Sequence, residues 1–155
     1  MRLFARAMFG LVNFLAARAG LQLPESDDPA EERRARRRTG VRGETFAYWY
    51  LRRHGYLLIA RNYRVPQRRG EIDLIGWDGK VLAFVEVKTR TTSTGGPPEQ
   101  AVHAEKQRRL GEMARDYVAR RRLGDVRYRF DVLALEARPG AAPVVRLHKG
   151  AFRGE

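Results

Sequence analysis

A mixed α/β domain is the fold class this sequence predicts, and three observations carry it. Apolar β-type runs at 70–76 and 81–88 flank an Asp78-Gly79 dipeptide, the strongest short-range sign of a tight hairpin. Stretches at 41–54 and from 97 onward repeat their apolar residues at helical spacing instead. Along the chain the signals run helix, three strands, helix, two strands, behind a separate N-terminal stretch, which layers helices on a sheet. A chain of 155 residues is long enough for one sizeable core.

Residues 1–20 place Leu3, Phe4, Met8, Leu11, Val12, Leu15 and Ala19 at helical spacing. The segment is too short and too interrupted to span a bilayer. An extra N-terminal amphipathic helix is expected, with surface membrane binding open to it but no stable insertion. Arg2, Arg6 and Ala17-Arg18-Ala19 faintly imitate a secretory signal, and Asn13 and Arg18 argue against one. Residues 24–38 hold almost nothing apolar and read as a charged, solvated linker that can begin a helix. The expected division is therefore 1–38, helix and linker, and 39–155, the folded domain. Within it, a helix is predicted over 41–54, with Ala47, Tyr48 and Leu51 on one stripe and Gly55 as its stop. Residues 56–65 read as the first strand, and a basic turn leads to the hairpin. Residues 91–96, rich in Thr, Ser and Gly, read as a loop. Pro97-Pro98 opens a long helix whose inward stripe is Val102, Lys106, Leu110, Met113 or Ala114, and Tyr117. Residues 126–135 and 144–148 read as the last two strands.

The net charge is +13 and nearly all of the excess is arginine, clustered at 33–42, 61–69 and 120–122. Arginine offers phosphate planar, multi-donor contacts, so nucleic acid is the expected partner. An arginine-favouring genome is the bland alternative. Cysteine is absent, which excludes disulfides, thiolate zinc sites and cysteine nucleophiles but leaves the compartment open. With neither a leader nor a span expected, the protein is read as cytoplasmic.

The hairpin carries the chemistry. With Asp78 and Gly79 as its loop, Trp77 faces Lys80, Asp73 faces Phe84 and Glu71 faces Glu86. Side chains alternate, so Glu71, Asp73, Glu86 and Lys88 share one side with Ile75, Leu82 and Phe84. Val85 and Val87 occupy the other side, so the strand is apolar on both faces and belongs in the middle of a sheet. Carboxylates at the margin of a core are costly unless something binds them, and a divalent cation is the simplest occupant. Asp73 and Glu86, as diagonal neighbours roughly 7 Å apart, can converge on one ion. Lys88 can orient a water or steady charge developing on phosphorus. Glu44 lies beside the apolar stripe of the first domain helix, as a helix-start residue or as a further ligand. Lys106 either snorkels out of the core or touches substrate phosphate. Tyr63 among Arg61, Arg64, Arg68 and Arg69 is the best basic surface with an aromatic in it. His54, His103 and His148 are scattered and read as packing or surface residues, and Asp131 as structural.

Gly43-Glu44, Gly55-Tyr56, Arg61-Asn62-Tyr63, 70–74 Gly-Glu-Ile-Asp-Leu, 84–90 Phe-Val-Glu-Val-Lys-Thr-Arg, Lys106 and 129–132 Arg-Phe-Asp-Val together resemble the bacterial YraN family. The resemblance covers about 39–136, with the hairpin its most specific part. More distantly, the helix glutamate, Ile72-Asp73 and Glu86-Val87-Lys88 resemble archaeal Holliday-junction resolvases and the PD-(D/E)XK nuclease superfamily. That resemblance implies a restriction-endonuclease-like mixed sheet flanked by helices. It implies Asp73 and Glu86 as metal ligands, Lys88 as the catalytic lysine and Glu44 as a supporting acid and ligand. Glu71 stands where the superfamily often has proline. The function expected is a Mg²⁺- or Mn²⁺-dependent endonuclease hydrolysing DNA, on branched or junction structures, as a homodimer where both strands are cut. Arg61, Tyr63, Arg64, Arg69, Arg90 and Lys106 are its expected nucleic-acid contacts. A non-catalytic nucleic-acid-binding or scaffolding module on the same fold is the alternative.

Overall fold

A computed structural model of the chain describes residues 2–19, 28–90, 103–138 and 140–154. Its elements are α1 (Arg2–Ala19), α2 (Pro29–Arg53), β1 (Leu57–Tyr63), β2 (Ile72–Asp78), β3 (Val81–Arg90), α3 (Ala104–Arg120), β4 (Tyr128–Arg138) and β5 (Ala141–Phe152). The five strands form one sheet in the order β1-β2-β3-β4-β5. All neighbours are antiparallel except β3 and β4, which are parallel and are joined through α3. The mixed α/β class and the element order expected from sequence are thus present. The predicted loop at 91–96 and the predicted start of the helix at 97–102 lie outside the described residues.

Alternation along the central strands sorts the core into two layers. Ile75, Leu82 and Phe84 pack with Leu110, Met113, Ala114 and Tyr117 of α3 on one face. Leu74, Ala83 and Val85 pack with Phe46, Ala47 and Leu51 of α2 and Phe9 of α1 on the other. Strand β3 is covered on both sides, which is why its apolar run is continuous.

Helix α2 begins twelve residues earlier than the predicted 41 and runs through the expected linker and domain boundary. The reason is local. Asp28 accepts a hydrogen bond from the Ala30 N–H (2.8 Å), Pro29 takes the first turn, and Glu31 and Glu32 complement the dipole. The arginines beyond are good helix formers, and Ala35 and Thr39 are buried, so a polar stretch holds helical form. Its far end closes as expected at Gly55 (φ +94): Tyr56 N–H bonds to Leu51 O and Gly55 N–H to Arg52 O, a Schellman cap.

The hairpin turns one residue later than predicted, which shifts the pairing register by two. Asp78 pairs with Val81, so Gly79 (φ +61) and Lys80 form the loop, and Phe84 faces Ile75 instead of Asp73. A positive φ at the first loop position is what glycine permits. Because the register shift is even, every side chain keeps its predicted face. Strand β5 exceeds the predicted 144–148 at both ends. It is an edge strand, half-exposed along most of its length and tolerant of Pro143, so it shows little periodicity in sequence.

Candidate functional site

The corrected register brings the two acidic side chains closer than expected. Carried one step past the Leu74–Val85 pair, the ladder sets Asp73 against Glu86, directly opposed on the α3 face. Both are buried, at 9% and 4% exposure. Asp73 Oδ2 accepts the Val87 N–H at 2.7 Å, a bond from the strand's own backbone that fixes the carboxylate. Glu86 Oε1 meets two ammonium groups: Lys88 Nζ at 3.1 Å, two residues along β3, and Lys106 Nζ from the first turn of α3. Glu86 Oε2 is buried with no hydrogen-bond partner among the described residues.

This is an electrostatically loaded arrangement. Burial, and then the adjacent Glu86 charge, push the Asp73 carboxyl up to about 7, while the Val87 N–H and Lys106 pull against them. A cleft of about 250 Å³ opens at Asp73, lined by Arg69, Gly70, Glu71, Asp73, Lys106, Arg109, Leu110 and Met113. Three of those side chains are cationic. The inward stripe of α3 explains the placement: Leu110, Met113 and Tyr117 seat the helix on the sheet, and Lys106 and Arg109 fall at its free first turns.

Other predicted residues are placed elsewhere. Glu44 does not join the pair: its Oε2 accepts Asn62 Nδ2 at 2.9 Å, though its charge still raises the Asp73 carboxyl slightly. Among the described residues no three acidic or histidine side chains gather at a metal-sized position. Glu71 lies just outside β2 and pairs with Arg64 at 2.8 Å instead of facing Glu86. Tyr63 is no surface platform; its ring meets Tyr117 edge-on at 5.0 Å, against the core. Arg61 turns to the α2 side, over the Tyr48 ring at 4.9 Å. Arg90 ends β3, beside Glu136 in register. Of the expected nucleic-acid contacts, only Arg69 and Lys106 converge on the carboxylates.

Two residues escaped the sequence reading. Arg109 sits three positions after Lys106, and that helical spacing was the available signal. Asn62 holds a left-handed conformation (φ +47) from which its amide reaches Glu44, and only its enrichment at such positions hints at this. Of the histidines, His54 bonds to Tyr50 O and His103 stands at the N-cap of α3.

A second polar cluster occupies the opposite face. Fully buried Asp131 accepts hydrogen bonds from Arg129 Nε (2.8 Å), the Gly150 N–H (2.9 Å) and Tyr56 Oη (3.0 Å). Arg129 and Lys149 both also reach Asp78, and together hold its carboxyl below the usual range, Lys149 first. Burial and then Asp131 push the Tyr56 phenol up. Every member is partnered, so this cluster ties β4, β5 and the hairpin turn together.

Fold and site thus define an α/β protein with a buried carboxylate pair and two lysines at one end of a mixed sheet. The model of the uncharacterised protein family UPF0102 matches residues 43–135. The chain belongs to that family, the one to which the YraN resemblance pointed. It is similar to a UPF0102 protein of Solibacter usitatus, 46% identical over 125 residues, which cover 81% of this chain and 93% of the relative. It is similar also to one of Symbiobacterium thermophilum, 48% identical over 116 residues, covering 75% and 97%. Strands β2 and β3 and helix α3, which supply the pair and its two lysines, lie within the matched region.

Proposed function

We propose that this protein is a magnesium-dependent endonuclease that hydrolyses DNA in the cytoplasm, with branched structures as its first substrate class. One observation carries the reading: two buried carboxylates from adjacent strands face each other, with an oxygen of Glu86 unpartnered among the described residues and Asp73 lining a cleft that holds three cationic side chains. Carboxylates so placed fit a hard cation better than they fit each other. Magnesium commonly uses one or two protein carboxylates and keeps waters and phosphate as its other ligands, so a two-carboxylate set suits it. Asp73 and Glu86 would hold the ion, which supplies Lewis acidity at the phosphoryl oxygen and an acidified water. Manganese would serve in its place.

The chain's own residues do the rest. Lys88, on the same face, orients the attacking water and offsets charge developing on phosphorus. Lys106 neutralises Glu86 in the free protein and turns to substrate phosphate when a cation takes that role. Arg69 and Arg109 position the phosphate backbone in the cleft. Glu44, steadied by Asn62, acts from outside the pair as a supporting acid. The finer fold assignment belongs to this reading: a restriction-endonuclease-like core of the PD-(D/E)XK type, similar to archaeal Holliday-junction resolvases, with a homodimer providing one site per strand.

The experiment incubates purified protein with labelled linear, flapped and four-way DNA, with and without Mg²⁺ or Mn²⁺. Cleavage should require the metal and fall at least about a hundredfold in Asp73→Ala and Lys88→Ala, with DNA binding largely kept. Undiminished cleavage by either variant removes the assignment. Binding of these DNAs without product under either metal would make the protein a non-catalytic module instead.

A further inference from the structure

We propose that the outer face of α1 docks on an anionic lipid surface. This inference is independent of phosphodiester chemistry and rests on a helix that is apolar on two sides. The inner side is spent on the fold: Ala5 and Phe9 are buried, and Val12 and Ala16 pack in the α2-side core. The outer side carries Leu3, Phe4, Leu11, Phe14 and Leu15, exposed by 82%, 61%, 50%, 57% and 50%. At 3.6 residues per turn these five share an arc of about 120°. They are five of the eight large hydrophobic residues exposed among the described residues, so the apolar surface is concentrated on one element. A contiguous face of that kind marks an interaction site.

Its border identifies the occupant. The Phe4 ring meets Trp49 of α2 edge-on at 5.9 Å, and the Arg52 guanidinium lies 5.4 Å from the Trp49 ring. On α1 itself Arg6 flanks the arc and Arg18 closes it in the last turn, both exposed, and the helix contains no acidic residue. Leucine and phenylalanine at the centre, tryptophan and arginine at the edge, is the composition that settles between acyl chains and anionic headgroups. A second copy of the face would set arginine against arginine with no carboxylate of α1 to answer it. Nucleic acid would match the arginines and leave Leu11 and Phe14 without an apolar contact. Anionic lipid satisfies both. The contact is superficial, since no helix among the described residues is long and apolar enough to cross a membrane.

The test is co-sedimentation of the full chain with vesicles of phosphatidylglycerol and phosphatidylcholine, against vesicles of phosphatidylcholine alone. The expected partition coefficient is at least tenfold higher on the anionic vesicles. The double variant Leu11→Glu, Phe14→Glu should lower it at least tenfold; both side chains point outward, and an unchanged melting temperature verifies the fold. Arg6→Glu, at the edge of the face, should lower it severalfold and gives a second, independent reading. Equal binding to both vesicles, or binding that survives the double variant, overturns the proposal. So does a lipid-free dimer in sedimentation equilibrium that the double variant converts to monomer, which would assign the face to a second copy.

Discussion

Ionising Asp73 is costly, because burial and Glu86 act in the same direction. A carboxyl raised from 3.8 to about 7 binds its proton more tightly in the folded state than in the unfolded chain. Between those values the folded state therefore carries more protons, and stability falls as pH rises through the window. Below about pH 4 both states are protonated and the penalty disappears. In Asp73→Asn the charge is absent while the amide oxygen can still accept the Val87 N–H. Urea denaturation of the metal-free protein should then find the variant more stable than wild type at pH 8, by about 2–4 kcal/mol, and equal to it near pH 4. The same variant should show no gain in stability on adding magnesium, whereas wild type gains at pH 8, where the carboxylate is ionised. A stability difference between the two proteins that does not grow from pH 4 to pH 8 would contradict the burial of this charge.

Glu44 owes its place to its neighbour. A Cβ added at Gly43 would stand 2.1 Å from Thr89 Oγ1 and 3.3 Å from Thr89 Cβ, so only glycine lets α2 cross β3 this closely. Thr89 is two residues beyond Val87 on the α2 face, and turning its hydroxyl away would still leave its Cβ at 3.3 Å. Gly43→Ala would gain about 1 kcal/mol of helix propensity and lose about 1–3 kcal/mol to overpacking, for a net loss near 1 kcal/mol and a melting temperature lower by about 2–4 °C. Adding Thr89→Ala should recover most of it, measured by thermal denaturation; a Gly43→Ala protein more stable than wild type would mean that the helix does not approach so near. At this scale the sequence is unevenly informative. The faces of β2 and β3 follow from alternation alone and survive a turn misplaced by one residue, because the register then slips by two and parity outlasts an even slip. Register does not follow, since Asp78-Gly79 and Gly79-Lys80 are both workable loops and only the ladder chooses between them. The first half of α2 was hidden by its polarity, and its start was nonetheless written in Asp28-Pro29 and the two glutamates after it. For the site, Asp73, Glu86 and Lys88 were within reach because they are local to one hairpin. The fate of Glu44 and Tyr63 depended on Asn62 and Tyr117, partners on other elements that periodicity does not name.

For the whole molecule the governing quantity is the charge of +13, and the issue is where it acts. Much of it is already engaged: Arg64 with Glu71, Arg68 and Arg108 with Glu112, Arg120 with Asp116, Arg129 with two aspartates. These pairs shrink the field that a polyanion would feel on those surfaces. In the cleft the balance can change on metal binding: Arg69, Lys106 and Arg109 line it with Asp73 and with Glu71, which Arg64 already holds, and magnesium on Asp73 and Glu86 would release Lys106 from its pair with Glu86. If about six phosphates are contacted, log K for DNA should fall against log salt with a slope near −5. Each cationic contact removed should reduce that slope by about 0.9, so Arg69→Ala with Arg109→Ala should bring it to about −3. Fluorescence anisotropy with a labelled duplex from 50 to 300 mM salt (roughly the range in which counterion release dominates) measures both slopes. A wild-type slope near −5 that the double variant leaves unchanged would move DNA binding away from the cleft, to the arginines of α2. A flat wild-type response would detach the charge from nucleic acid altogether.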